Sequence, residues 1–104
     1  MPRKSTKASS PEGAVYTLPE VLDLKAATPL AEKLMSLRGQ SLIIDASRVE
    51  RLGTQCVQIL IAAAATWRDE MAAISIAEPS DSFTTGLQVL GLTPQAILEK
   101  EFGQ

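Results

Sequence analysis

The chain has 104 residues and a net charge of −2, and 45% of its residues are hydrophobic against 21% charged. These values are typical of one globular domain with a modest core, and the negative charge argues against nucleic acid as a partner. The chain has no histidine and a single cysteine, Cys56, which excludes Ser-His and Cys-His nucleophile pairs, histidine metal ligands and an internal disulfide.

The first segment, residues 1–13, is rich in Ser, Lys, Pro and Gly. It predicts a flexible tail ahead of one domain at residues 14–104. The tail lacks the apolar stretch of a secretory signal. The most apolar window, residues 56–67, is shorter than the roughly 20 residues that a membrane span needs. We therefore expect a soluble, cytoplasmic protein that does not insert into a membrane.

The first half of the domain predicts two short strands and a helix. Residues 14–18 (AVYTL) predict the first strand, and residues 20–24 (EVLDL) predict a second strand or a sheet edge. Thr28 followed by Pro29 predicts the N-cap and first residue of a helix, which Gly39 ends. The apolar face of this helix consists of Leu30, Leu34 and Leu37.

A continuous apolar run, residues 41–47 (SLIIDAS), predicts an inner strand that is covered on both faces. Residues 54–69 then predict the longest helix, and residues 72–78 (AAISIAE) predict another strand. The spacing along the long helix leaves one narrow exposed stripe. Its members are Gln55, Gln58, Ala62, Thr66 and Asp69.

Two further helices are predicted at the carboxyl end. Residues 79–81 (PSD) cap the first, which ends at Gly91, and Thr93 with Pro94 begins the second. Their core residues are Phe83, Leu87 and Leu90 in the first helix, and Ile97, Leu98 and Phe102 in the second. The βαβαβα order predicts an α/β fold with a small, mixed or mostly parallel sheet of about four strands.

The junction between the inner strand and the long helix is the first place to look for a functional site. In such folds, the carboxyl ends of the strands meet helix N-termini. Two interpretations are open: Gly53 turns the chain and Thr54 caps the helix, or the exposed helix start binds a partner. Cys56 is expected to be a small core residue, because no histidine is present to activate it as a nucleophile.

Asp45, at the end of the inner strand, raises a second possibility. A phosphate-accepting receiver aspartate needs a neighbouring acidic pair to hold Mg²⁺, and residues 14–24 contain no adjacent acidic pair. We therefore expect Asp45 to accept hydrogen bonds within the turn that contains Ser47. We predict no metal, no cofactor and no catalytic residue.

Residues 42–67 (LIIDASRVERLGTQCVQILIAAAATW) resemble the central signature of the STAS domain, the fold of the anti-sigma factor antagonists. The positions that match the family pattern are Asp45, Ser47, Val49 and Leu52. The resemblance extends over about residues 14–100 and implies the STAS fold and a non-enzymatic protein-interaction module.

The loop departs from the pattern of the phosphoregulated members, which carry a Ser or Thr that a kinase modifies. Gln55 stands at that position, and Thr54 precedes it. The resemblance therefore leaves Thr54 as the one possible phosphoacceptor of this loop. A Thr at that place also resembles the small STAS subunits of lipid-transport ABC systems.

The whole pattern is similar to the stand-alone STAS proteins of bacterial chemotaxis operons. That similarity implies binding to a chemotaxis histidine kinase and modulation of phosphoryl signalling to response regulators. An accessory subunit of a lipid-transport ABC system and an anti-sigma factor antagonist switched by phosphorylation remain alternatives. The predicted partner-binding residues are Gly53, Thr54, Gln55, Cys56, Gln58 and Ala62. The sequence indicates no oligomeric state.

Overall fold

The computed structural model describes residues 13–99. These residues form an α/β fold, as predicted, and Phe102 and the first twelve residues of the predicted tail lie outside them. In chain order the elements are β1 (Ala14–Thr17), β2 (Val21–Leu22), α1 (Leu24–Ser36), β3 (Leu42–Asp45), β4 (Arg51–Leu52), α2 (Thr54–Asp69), β5 (Ile74–Ala77), α3 (Asp81–Val89) and α4 (Pro94–Glu99).

The strands of residues 13–99 form two small parallel groups. The larger one has three strands in the order β1-β3-β5, with Leu42 opposite both Ala14 and Ile74. The predicted inner strand is therefore central. The second group pairs β2 with β4, and Leu22 lies opposite Leu52. The expected sheet of about four strands is thus divided into three strands and a separate pair.

The two faces of the central sheet differ in burial. On β3, Leu42 and Ile44 are fully buried, whereas Ile43 and Asp45 on the opposite face are half-exposed. On that same face Val15, in the neighbouring strand, is 64% exposed. The prediction that β3 is covered on both faces is therefore wrong within the described residues, because the helices bury one face.

Helix α1 begins earlier than predicted. Asp23 is its N-cap, and the Asp23 carboxylate accepts a hydrogen bond from the Ala26 N–H at 3.1 Å. Pro29 lies inside the helix rather than at its first position. Proline removes one backbone hydrogen bond there, the one to the carbonyl of Lys25, and Lys25 is itself an exposed residue.

Helix α2 has the predicted bounds and supplies much of the core. Its buried residues include Trp67, which is 1% exposed and donates its indole N–H to the Gln40 carbonyl at 2.8 Å. The exposed side chains Gln55, Gln58 and Ala62 fall on the predicted stripe. The helix therefore packs through one side and leaves a narrow strip accessible, which is uncharged from Gln55 to Ala62 and ends at the exposed Asp69.

The last two helices are capped as the sequence predicts. The Ser80 hydroxyl accepts the Phe83 N–H at the start of α3, and the Thr93 hydroxyl accepts the Ala96 N–H at the start of α4, both at 3.0 Å. The buried residues are Phe83 and Leu87 in α3 and Ile97 in α4, whereas Leu90 is 40% exposed.

Candidate functional site

The start of α2 lies directly beside the start of α1. The Gly53 N–H donates to the Leu22 carbonyl at 2.8 Å, and the Cys56 thiol donates to the Asp23 carbonyl at 3.4 Å. A Cβ atom at Gly53 would lie 3.2 Å from that Leu22 oxygen, closer than most such contacts. Glycine at this junction thus allows the two segments to approach each other.

Thr54 does not cap α2. The N-cap is Gly53, which has no side chain to bond with the helix start, and Thr54 is the first helical residue. The prediction that Thr54 caps the helix is therefore wrong, because the N-cap position falls one residue earlier, at Gly53. Thr54 is exposed, and its hydroxyl makes no hydrogen bond within residues 13–99.

We therefore expect Thr54→Ala to change the free energy of unfolding by less than about 0.5 kcal/mol, as is usual for an exposed side chain without bonds. A lost capping bond would cost about 1 kcal/mol. Urea denaturation followed by circular dichroism measures this difference. Thr93→Ala, at a residue whose hydroxyl caps α4, is the positive control. A loss of about 1 kcal/mol at Thr54 would restore the capping role.

Asp45 and Ser47 organise the turn that follows β3. The Ser47 N–H donates to the Asp45 carboxylate at 2.9 Å. This bond is the main cause that lowers the pKa of Asp45 below its ordinary value; the Ser47 and Thr17 hydroxyls and the charge of Arg48 act in the same direction. The ionised form of Asp45 is therefore the one that fits this turn.

The lowered pKa of Asp45 predicts a pH dependence of stability. The ionised carboxylate stabilises the fold above the pKa of the unfolded chain, about 3.9, and this contribution is lost as pH falls through the lower folded pKa. Asp45→Asn keeps an acceptor for the Ser47 N–H but cannot titrate. As the pH falls below about 4, we expect wild type to lose more of its free energy of unfolding than Asp45→Asn does, as measured by urea denaturation. A difference that stays constant from pH 6 to pH 3 would contradict this role.

Cys56 does not belong to an accessible surface. Its side chain is fully buried, although it was predicted among the partner-binding residues. Burial, followed by the negative charge of Asp23, raises the pKa of the Cys56 thiol. A buried protonated thiol is a poor nucleophile, so Cys56 acts as a small core residue that bonds α2 to the start of α1.

The remaining predicted residues form one exposed strip along the first nine residues of α2. We define the α2 surface as Thr54, Gln55, Gln58 and Ala62, with Gly53 at its edge. All four side chains are exposed and uncharged, and none makes a side-chain hydrogen bond within residues 13–99. They therefore have no visible role in holding the fold together.

Two exposed apolar side chains close to the start of α2 were not predicted. Leu24 is 76% exposed and Val21 is 39% exposed. Leu24 follows directly on Asp23, whose carbonyl contacts Cys56. The pair Asp23-Leu24, a capping residue followed by an apolar residue, could have indicated a helix start with an exposed leucine. The helix was instead predicted to start at Thr28. These side chains add exposed apolar area near the start of α2.

Residues 13–99 contain no cluster of three or more Cys, Asp or Glu side chains arranged to hold a metal ion. Within the same residues, no helix combines the length and the apolar character that crossing a bilayer requires.

The comparison with protein families identifies the chain. A family model described as "Mlab, STAS domain" matches residues 5–99, a range that begins within the segment predicted as a tail. The chain therefore belongs to the STAS domain family, whose members are protein-interaction modules of the anti-sigma factor antagonist type and are generally non-catalytic. No curated protein and no solved structure matches the chain significantly.

Proposed function

We propose that this protein docks on a chemotaxis histidine kinase through the α2 surface and adjusts phosphoryl transfer to the response regulators. The resemblance to stand-alone STAS proteins of chemotaxis operons supports this partner, and a cytoplasmic location would bring the two proteins together. The domain would act by occupying a surface of the kinase, since no step of this proposal requires a catalytic group on the chain itself.

The observation that carries the proposal is the exposed, uncharged strip at the start of α2. Thr54, Gln55 and Gln58 are accessible and form no side-chain bonds within residues 13–99. An uncharged surface suits a protein–protein interface, because the centre of such an interface is depleted in charged residues. The side-chain amides of Gln55 and Gln58 can also form hydrogen bonds with a partner. Leu24 adds an exposed apolar side chain near the start of α2.

The direct test is binding of the purified protein to the purified kinase from the same operon. Isothermal titration gives the dissociation constant, and phosphorylation of the response regulator in the presence and absence of the protein gives the effect on signalling. Saturable binding with a changed phosphotransfer rate supports the proposal. The absence of binding to every chemotaxis kinase of the host would refute it.

Leu24→Asp tests whether the exposed apolar side chain takes part in docking. Burying a leucine side chain contributes about 1.5–3 kcal/mol, so we expect the dissociation constant for the kinase to rise at least roughly tenfold. Stability should not fall, because an acidic residue is favourable in the first turn of a helix. Met71→Asp is a matched control at a side chain that is 94% exposed, beyond the opposite end of α2. Equal affinities of the two variants would exclude Leu24 from the interface.

A lipid-transport role is the second candidate. A Thr at the position of Thr54 resembles the small STAS subunits of lipid-transport ABC systems, and its exposed hydroxyl is available to a partner ATPase as much as to a kinase. Titration of the protein into the purified ATPase subunit separates the two candidates. Neighbouring genes offer a quicker discrimination, since a permease and an ATPase would favour this role over chemotaxis.

A phosphorylation switch at Thr54 is the third candidate, because the hydroxyl is exposed at the first helical position. Incubation with a cognate kinase and ATP, followed by intact-mass measurement, tests it. The variant Thr54→Ala controls for modification elsewhere. An unchanged mass under conditions that modify a control antagonist would exclude this switch.

A further inference from the structure

Ser80 links the start of α3 to the loop that leads into the α2 surface. Its hydroxyl donates to the Val49 carbonyl at 2.6 Å and also accepts the Phe83 N–H at 3.0 Å. The Ser80 backbone N–H donates to the Ala46 carbonyl at 3.1 Å. One residue therefore caps a helix and holds both ends of the short segment from Ala46 to Val49.

This segment leads, through one short strand, to the start of α2. It connects β3 to β4, and β4 is followed immediately by Gly53 and Thr54. Its other ties to neighbouring elements are an exposed ion pair between Arg48 and Glu20 at 3.4 Å and backbone bonds, among them those from the Glu50 and Arg51 N–H groups to the Glu20 carbonyl at 2.7 Å and 3.1 Å. Side-chain substitution cannot remove those backbone bonds, whereas it can remove the bond from Ser80.

Ser80 is well placed to hold this loop in one position. Val49 is 2% exposed and belongs to the core, so its carbonyl is shielded from most of the water that would replace a lost donor. A partly buried carbonyl without a donor carries a desolvation cost. Removal of the hydroxyl should therefore displace or loosen the loop rather than leave it unchanged.

We infer that Ser80 is a positioning residue for the α2 surface, which it holds in the binding geometry through Val49. This inference rests on the proposed function for its binding readout, while its effect on the loop can be measured in the isolated protein. It adds the N-cap residue of α3, remote in sequence from the surface, to the set that determines partner affinity.

Two glycine variants separate this role from simple helix capping. Ser80→Gly and Thr93→Gly each remove a capping hydroxyl from a helix start, and glycine is a tolerated N-cap. Ser80→Gly alone also removes the bond to the Val49 carbonyl. Ser80→Thr keeps a hydroxyl and serves as the conservative rescue.

Hydrogen exchange of the full-length protein gives the first readout. In Ser80→Gly, the amides of Val49, Glu50 and Arg51 should exchange roughly fivefold faster than in wild type, the change expected for one lost hydrogen bond. Thr93→Gly and Ser80→Thr should leave these amides unchanged. Equal exchange of the three amides in Ser80→Gly and Thr93→Gly would overturn the inference.

Titration with the purified chemotaxis kinase gives the second readout. We expect the dissociation constant to rise roughly fivefold in Ser80→Gly and to stay at the wild-type value in Thr93→Gly and Ser80→Thr. If wild type binds and Ser80→Gly binds equally well, the positioning role is refuted. If wild type itself does not bind, the proposed function fails, and the exchange rates alone decide whether Ser80 holds the loop.

Discussion

Gln55→Arg is expected to weaken binding to the chemotaxis kinase roughly 30-fold or more, the effect of losing a central interface contact. Gln55 lies in the first turn of α2, where it is exposed and makes no side-chain bond within residues 13–99. Arginine would bring a longer side chain and a charge into an uncharged strip. A charge that becomes buried without a partner is costly in an interface.

The stability of Gln55→Arg should fall by no more than about 1 kcal/mol, because the exchanged side chain is exposed and the expected cost is that of a positive charge in the first turn of a helix. Gln95→Arg is the matched control. It introduces the same charge on α4, the helix that contacts the carboxyl end of α2 through the bond between Arg68 and the Leu98 carbonyl. Isothermal titration of both variants with the kinase measures the effect. An equal loss of affinity in both variants would show that the added net charge, and not its position, weakens binding. No loss of affinity in Gln55→Arg would exclude Gln55 from the interface.

Trp67→Ala is expected to have the largest effect on stability, a loss of about 3–5 kcal/mol in the free energy of unfolding. Trp67 is among the largest fully buried side chains in the described part of the chain, and its indole N–H bonds the Gln40 carbonyl at 2.8 Å. The substitution would leave a cavity between α1 and α2 and an unpaired carbonyl. A loss of this size is a large part of the stability of a small domain.

The comparison with Trp67→Phe separates packing from hydrogen bonding. Phenylalanine keeps an aromatic ring in the core but lacks the donor for Gln40, so we expect a smaller loss than for alanine. Since Trp67 is the only tryptophan, its removal also removes the intrinsic tryptophan signal, and circular dichroism is the appropriate probe. A loss below about 1 kcal/mol for alanine would contradict the core role.

Local signals predicted much of the fold. The bounds of α2 were predictable because a glycine precedes it and its apolar positions recur at helical spacing to Asp69. Ser80 and Thr93 were identifiable as capping residues, since a short polar side chain at a helix start bonds the third residue on. In these places local chemistry and tertiary packing favour the same structure.

The start of α1 was not predictable from local signals, because both Asp23 and Thr28 are good capping residues. Tertiary contacts decide between them: Leu22 pairs with Leu52 in the parallel strand, and the Asp23 carbonyl accepts the Cys56 thiol. The strand therefore ends at Leu22, and the helix begins immediately after Asp23. The same contacts place Leu24 beside the start of α2, which the sequence alone did not reveal.

The burial of individual site residues also depended on the fold. An apolar run such as LIID predicts an inner strand, but it does not show that helices cover one face and leave Ile43 half-exposed. Cys56 and Gln55 are neighbours in sequence, yet the helix turns the first into the core and the second outward. The residues that form the α2 surface could therefore be identified only once the orientation of the helix was known.

The most direct test of the central claim is to map the bound kinase on this protein by amide chemical shifts. Titration of isotopically labelled protein with the unlabelled kinase should perturb Leu24, Gly53, Thr54, Gln55 and Gln58, and it should leave the amides of α4 unchanged. Perturbations confined to α4 or to the carboxyl end of α2, with the start of α2 unaffected, would contradict a docking site on the α2 surface.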